Sequence, residues 1–282
     1  MKHTLKIAFI ALFSFVTILS SSAYDLKAVS GTDTIYYNKT QKANIVFVTY
    51  KEADKASYCG DIVIPESISV NGNKYIVGGI GSAAFKNCQA LTSIKLPISI
   101  EYIGDDAFRN CTILSEISLP KYVSKIGYYA FGNTGLRRVD IPDVDEIEGM
   151  AFKGCRNLKS VAIHDSTKVI GDYAFMDCVN LEKVNLPLAM ERLGRSAFFN
   201  CVNLGNEITI SHKTKLIGLY AFGNCHKLNI IRCDGTAYIP FCEKFAFGDV
   251  RPISKTLIVP PNTKSAYKKL QEWNDFVLII EE

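Results

Sequence analysis

The chain has 282 residues, 48% of them hydrophobic and 21% charged, the composition of an ordinary globular protein rather than a disordered or fibrous one. Its 32 Lys and Arg against 28 Asp and Glu leave a formal charge of +4. A chain so close to neutral has no electrostatic reason to seek phosphate backbones, so nucleic acid is not an expected partner.

Lys2 and Lys6 open the chain, an apolar run fills residues 7–19, and the small residues Ser21, Ser22 and Ala23 follow. That order is the signature of a secretory signal peptide over residues 1–23, cleaved near Ala23. The run falls short of the ~20 residues that span a bilayer. No cysteine for lipid attachment stands at the cleavage point, and no later apolar run has membrane length. The mature protein is therefore expected to be exported to the periplasm, the cell surface or the medium. No transmembrane segment is expected after cleavage.

Residues 34–37 and 44–50 read as antiparallel strands of an N-terminal β cap over residues 24–59. Residues 62–65, the Asn71-Gly72-Asn73 turn and residues 75–81 then make a degenerate first unit, with a hairpin of the Asn-Gly type. From there one motif recurs. Ala-Phe stands at Ala84-Phe85, Ala107-Phe108, Ala130-Phe131, Ala151-Phe152, Ala174-Phe175, Ala197-Phe198 and Ala221-Phe222, with steps of 23, 23, 21, 23, 23 and 24 residues. A weaker copy is Ala246-Phe247. Four residues before each of the seven Ala is an aliphatic (Ile80, Ile103, Ile126, Ile147, Ile170, Leu193, Ile217), and all but Ile147 are followed by Gly. Three residues after each Phe comes Cys88, Cys111, Thr134, Cys155, Cys178, Cys201 or Cys225.

An alternating apolar stretch closes the unit, as in Leu91-x-x-Ile94-x-Leu96-Pro97 and Leu181-x-x-Val184-x-Leu186-Pro187. Alternation is the strand signature, and Pro ends the strand because it cannot donate to a ladder. One such unit cannot bury its own apolar face, so the units must stack, Phe on Phe and Leu on Leu. The 21-residue step places its deletions in turns and predicts an unbroken Phe column. At about 4.8 Å per turn, eight turns make a rod on the order of 40 Å long. Beyond the last strand, at 257–260, residues 264–272 read as a short helix with Ala266, Tyr267 and Leu270 on one buried stripe. Trp273, Phe276 and residues 277–280 would close the stack.

The pattern Ile-Gly-x-x-Ala-Phe-x-x-Cys-x-x-Leu-x-x-Ile-x-Leu-Pro resembles the BspA-like class of leucine-rich repeats over residues 60–280. These occur in exported and surface proteins of Bacteroides-type bacteria and in some mucosal protozoa. The expected fold is a repeat solenoid, mostly β, a right-handed coil with one short parallel strand per repeat of ~23 residues. Its parts are the N-terminal β cap, about eight turns over residues 60–260, and a C-terminal helix and strand cap over 261–282. The resemblance implies protein binding, in some members adhesion to host extracellular matrix, and it does not imply an enzyme.

The residues offer little chemistry of their own. Six of nine cysteines occupy one repeat position without any Cys-x-x-Cys pair, so a buried structural column is expected, and no metal. Cys233 and Cys242 lie outside it, and a disulfide between them is an open alternative. His164-Asp165-Ser166 is not expected to act as a triad, because adjacent residues do not converge as a triad must. No catalytic residue and no cofactor site is expected. Binding is expected on the outward strand positions, Lys95, Glu116, Arg138, Asp140, Lys183, Asn185, Glu207 and Arg232, where a solenoid presents its variable surface. An alternative is an aromatic strip of Tyr128, Tyr129, Tyr173 and Tyr220, against packing on the next turn. Asp33-Thr34-Ile35 and Asp165-Ser166-Thr167 resemble short O-glycosylation acceptors. The whole reads as a monomeric, non-catalytic, exported scaffold that binds a protein, with a structural spacer of the cell envelope as the alternative.

Overall fold

A computed structural model describes residues 23–53, 55–235, 238–248 and 253–282. The expected signal segment lies outside these residues, except for Ala23. The molecule is a stack of nearly identical turns with almost no helix.

Each turn contributes a two-residue rung at its aliphatic position. These are Tyr102–Ile103, Lys125–Ile126, Glu146–Ile147, Val169–Ile170, Arg192–Leu193, Leu216–Ile217 and Phe241–Cys242. With Ile45–Thr49 and Asn73–Ile80 they form one parallel ladder of nine rungs. Asp33–Lys39 pairs antiparallel with Ile45–Thr49, the pair expected at 34–37 and 44–50, and Leu26–Ser30 adds a further antiparallel strand that was not expected. The Gly that follows six of the seven aliphatics allows close approach. A Cβ on Gly104 would lie 2.5 Å from the Ser82 nitrogen, so only hydrogen fits between the turns.

The alternating stretch makes a second set of strands, so a regular turn carries two strands rather than the single one expected. Two-residue rungs are too short to show any alternation, which is why they are silent in the sequence. The second set is also broken into three sheets. Gly60–Val63 pairs with Leu91–Lys95. Arg138–Ile141, Ser160–Ile163 and Lys183–Val184 form the next. Glu207–Ile210, Ile230–Cys233, Ile253–Val259 and Phe276–Glu281 form the last. Residues 114–120 form no strand, although Leu114 is buried.

The interior is a column of rings. Phe85, Phe108, Phe131, Phe152, Phe175, Phe198, Phe222 and Phe247 stack face to face, with centroids 5.1 to 6.0 Å apart. The 21-residue step does not disturb it, since Phe131 and Phe152 are 5.2 Å apart. Offset stacking of this kind adds to the burial of apolar area. Beside the rings the chain bends through two left-handed residues per turn. One precedes the Ala, with φ from 49° at Ser196 to 61° at Tyr173. The other lies two residues after the Phe, at Asn87, Asn110, Asn133, Gly154, Asp177, Asn200 and Asn224. Asn tolerates this conformation best among residues with a Cβ. Its amides also link the turns: Asn110 Nδ2 donates to Asn87 Oδ1 at 2.8 Å, and Asn133 Nδ2 to Asn110 Oδ1 at 3.0 Å.

Tyr58 caps the first ring at 4.6 Å. Its hydroxyl donates to the Thr49 carbonyl and accepts from the Tyr36 N–H at 3.2 Å, which ties ring column and hairpin together. At the far end Trp273 and Phe276 each lie 5.2 Å from Phe247. The helix expected over 264–272 is a single turn, Lys264–Tyr267. Of its expected stripe only Tyr267 is buried, while Ala266 and Leu270 are exposed. Tyr267 packs edge-on against Trp273. Six residues apart, the two would leave a continuous helix on different faces, so the chain breaks the helix to seat both. Of the closing strand, Phe276 and Ile279 are buried, but Val277 and Leu278 face solvent.

Candidate functional surfaces

The thiol column has a defined task inside the stack. Cys111 Sγ donates to the Phe85 carbonyl and Cys155 Sγ to that of Phe131, each at 3.0 Å. Cys178, Cys201 and Cys225 do the same to Phe152, Phe175 and Phe198, each at 3.2 Å. Each thiol thus gives a second hydrogen bond to a buried carbonyl of the preceding turn, which already accepts the backbone N–H three residues further on. Thr134 departs from the pattern, its hydroxyl donating to the Phe131 carbonyl of its own turn at 2.9 Å. Burial pushes the Cys155 thiol up to about 11 and that of Cys225 to about 12. These thiols stay protonated at neutral pH and offer no thiolate for nucleophilic or metal chemistry. All nine cysteines are free, so the Cys233–Cys242 bridge is not formed. Both of its members are buried at the C-terminal end. Among the described residues no three His, Cys, Asp or Glu side chains are grouped as metal ligands.

His164 and Ser166 do meet, contrary to the expectation from their adjacency. His164 Nδ1 lies 2.7 Å from Ser166 Oγ, and the hydroxyl donates to Asp143 of the preceding turn rather than to Asp165. The order is nevertheless wrong for acyl transfer. A triad places the imidazole between nucleophile and acid, whereas here the serine stands between the other two. His164 and Asp143 are also open to solvent rather than set in a cleft. His212 donates its backbone N–H to Asp234 Oδ1 at 2.6 Å and closes a turn.

The expected binding residues on the strand face fall into three groups. Lys95 ends the first sheet opposite Val63, and Glu116 lies in the stretch without a strand. Arg138 pairs with Asp140 within its own strand, Nε to Oδ1 at 3.1 Å. Lys183 lies beside Ser160 in the same sheet, and Asn185 is exposed just past the strand end. In the third group Arg232 pairs with Glu207 at 2.7 Å and with Glu282 at 3.0 Å. Much of the charge on this face is therefore cancelled by its own neighbours, and exposed pairs of this kind are worth ~0–1 kcal/mol.

The tyrosines form a more continuous feature. Tyr129, Tyr173 and Tyr220 occupy the left-handed position before Ala and are half-buried. The Arg109 guanidinium stands 4.3 Å over the Tyr129 ring, which covers Gly132 so closely that no Cβ would fit there. Tyr220 stacks on Phe245 at 5.3 Å and meets Phe199 edge-on at 6.1 Å. Tyr128 is 46% exposed, and its hydroxyl reaches Met150 Sδ at 2.9 Å. Sequence reasoning stopped at the tyrosines and missed Met150, Phe199 and Phe245. The signal was present, since Met150 and Phe245 occupy the same slot before Ala.

Residues 78–205 and 196–272 match the BspA type leucine rich repeat region, in six copies. No curated protein is similar in sequence. Among solved structures, a leucine-rich repeat protein from Eubacterium ventriosum is 26% identical with a TM-score of 0.55, over 76% of this chain and 54% of that one. Another, from Bacteroides ovatus, is 24% identical with a TM-score of 0.50, over 89% of this chain and 78% of the other. No helix among the described residues is long and apolar enough to cross a membrane.

Proposed function

Because the chain belongs to the family of BspA type leucine-rich repeat proteins, we propose that it is a non-catalytic, exported scaffold that binds a protein partner through a lateral face. The observation that carries this reading is the half-exposed strip of Tyr128, Tyr129, Met150, Tyr173, Phe199, Tyr220 and Phe245. Aromatic and Met side chains are enriched at protein interfaces, and tyrosine gives large contact area at low entropic cost. The repeat's fixed residues are used up in the interior, so recognition falls to variable positions such as these. The strand-face residues Lys95, Glu116, Arg138, Asp140, Lys183, Asn185, Glu207 and Arg232 form the competing surface, disfavoured by their internal pairing.

Export rests on the signal pattern of residues 1–23, and host extracellular matrix is the proposed partner class. The experiment is binding of the monomeric protein to immobilised collagen, fibronectin and laminin. A Tyr128→Ser, Tyr173→Ser double variant is expected to weaken capture about ten-fold. Arg138→Ala with Lys183→Ala is expected to leave capture unchanged. Capture no better than an albumin surface sinks the proposal, and the reverse ranking of variants moves it to the strand face.

A second reading is a spacer in the cell envelope, favoured by the unbroken ring column and its nine-rung ladder. Fractionation separates the two, because a protein found only in the medium cannot be an envelope spacer.

A further inference from the structure

The tyrosine strip repeats at a spacing that suits one kind of partner. Its members ride beside the ring column, one slot per solenoid turn: Tyr129, Met150, Tyr173, Ser196 with Phe199, Tyr220 and Phe245. From Phe131 to Phe247 the rings beside them step by 5.2, 5.3, 5.2, 5.7 and 6.0 Å. An α-helix climbs about 5.4 Å per turn, so an apolar stripe on a helix stays in step with the strip over all six turns. An extended strand repeats its same-face side chains at about 6.7 Å and a polyproline helix at about 9.3 Å, and both drift out of step within a few contacts. The strip is also closed to strand addition, because its N–H groups are taken up between turns. Tyr129 donates to the Gly149 carbonyl at 3.1 Å and Tyr173 to that of Arg195 at 2.8 Å. Most charges along its borders are engaged: Asp172 with Arg192 at 2.6 Å, Glu148 with Lys125 at 3.4 Å and Arg109 with Asp106 at 3.4 Å. Lys153 differs. It stands 5.9 Å over the Tyr173 ring in mid-strip and has no ion-pair partner among the described residues.

We propose that the strip receives an amphipathic α-helix of a partner protein, laid along the solenoid so that each helical turn meets one solenoid turn, with a carboxylate of the helix on Lys153. The inference rests on the lateral-face reading and adds to it the form of the partner. About 20 residues of helix cover the six turns. Docking of this kind draws affinity from apolar anchors at i, i+3, i+4 and i+7. Side chains that the fold already holds in place lose little entropy on binding. Tyr129 is held by Arg109 and Gly132, and Tyr220 by Phe199 and Phe245. A second copy of this chain does not supply such a helix, since Lys264–Tyr267 is the one helix among the described residues and has four residues. Its open edge strand, Leu26–Ser30, is suited to joining another strand rather than to lying on side chains.

The test is binding of the whole protein to labelled synthetic peptides of about 20 residues, read by fluorescence anisotropy. The first peptide carries Leu at helical spacing, Glu along one edge of that stripe and Gln elsewhere. The second is the same with two central residues replaced by Pro, which breaks the helix. The third has Lys in place of Glu. Saturable binding of the first is expected, weakened at least about ten-fold in the second. The Lys-edged peptide is expected to bind at least about five-fold more weakly than the first, and Lys153→Ala to erase that difference. The Tyr128→Ser, Tyr173→Ser variant is expected to lose about ten-fold for the first peptide while its circular dichroism spectrum is kept. No saturable binding up to about 1 mM peptide overturns the proposal. Equal affinity for the proline peptide, no preference for Glu over Lys, or undiminished binding by the tyrosine variant overturns it as well. Capture of matrix proteins that the tyrosine variant weakens, without any helix binding, keeps the lateral face and sinks this inference. Helix binding through the tyrosines without matrix capture supports it and removes host matrix as the partner, so the two readings fail separately.

Discussion

At the N-terminal end the solenoid is closed twice over. The Tyr58 ring covers the first phenylalanine while its hydroxyl ties down the hairpin that begins the sheet. At the C-terminal end Trp273 and Phe276 cover the last ring equally well, and the Trp273 indole N–H ties the cap to the Pro240 carbonyl beside the last rung at 2.9 Å. A stack of turns therefore presents two different liabilities at its ends. One is an apolar cross-section, which any well-placed aromatic can shield. The other is a row of backbone groups, which only another strand can match.

The sharpest way to break this comparison is Trp273→Ala. Removing a buried indole from the end of the stack should cost about 3–5 kcal/mol in urea unfolding. Because neighbours support only neighbours in a solenoid, hydrogen-exchange protection should fall in turns 217–247 while turns 80–110 keep theirs. Uniform loss of protection would show that the ends are not energetically local. Tyr58→Phe probes the other end and keeps the ring. It should cost about 1–3 kcal/mol by leaving the Tyr36 N–H and the Thr49 carbonyl unmatched.

The interior between the ends carries its own pH signature. Burial raises the Cys155 thiol from 9.0 to about 11. A pKa raised on folding gives stability that is whole below pH 9 and lost as pH climbs toward 11. Each such thiol is worth on the order of 1 kcal/mol per pH unit in that window. Cys155→Thr, which copies Thr134 of the same column, should flatten that alkaline slope in urea titrations at pH 8 to 11. The smallest effect is expected at Tyr37, a buried residue whose hydroxyl has no partner. Tyr37→Phe should change stability by less than about 0.5 kcal/mol, or raise it slightly, because no hydrogen bond is lost. A loss above 1 kcal/mol would mean that ordered water holds that hydroxyl.

The parts of this architecture that were legible are those that repeat as side chains. Phe, Leu and Cys recur at one spacing, and the structure sets each in a column. The ladder was illegible because its rungs are two residues long and its requirement is an absence, the missing Cβ of Gly104 and its equivalents. The asparagine link from Asn87 through Asn110 to Asn133 was visible but unread, since its cause is backbone conformation rather than polarity. The helix over 264–272 was misjudged because a local stripe was weighed without the need to seat Tyr267 against Trp273 and Trp273 on Phe247. Of the candidate surfaces, the tyrosine positions were readable from one slot.

The near-constant ring spacing bears on how a protein like this changes length. A phenylalanine in mid-column sees the same neighbours above and below whichever turn it occupies, 5.2 Å on one side and 5.3 Å on the other for Phe152. Duplicating or deleting one whole turn would leave every interior residue in an equivalent setting, whereas a change of a few residues is absorbed only where it falls in a turn, as in the 21-residue step between Phe131 and Phe152. In-frame gain and loss of entire repeats is therefore the mutational route the interior tolerates, and descendants of such a gene can differ in reach while their cores remain interchangeable.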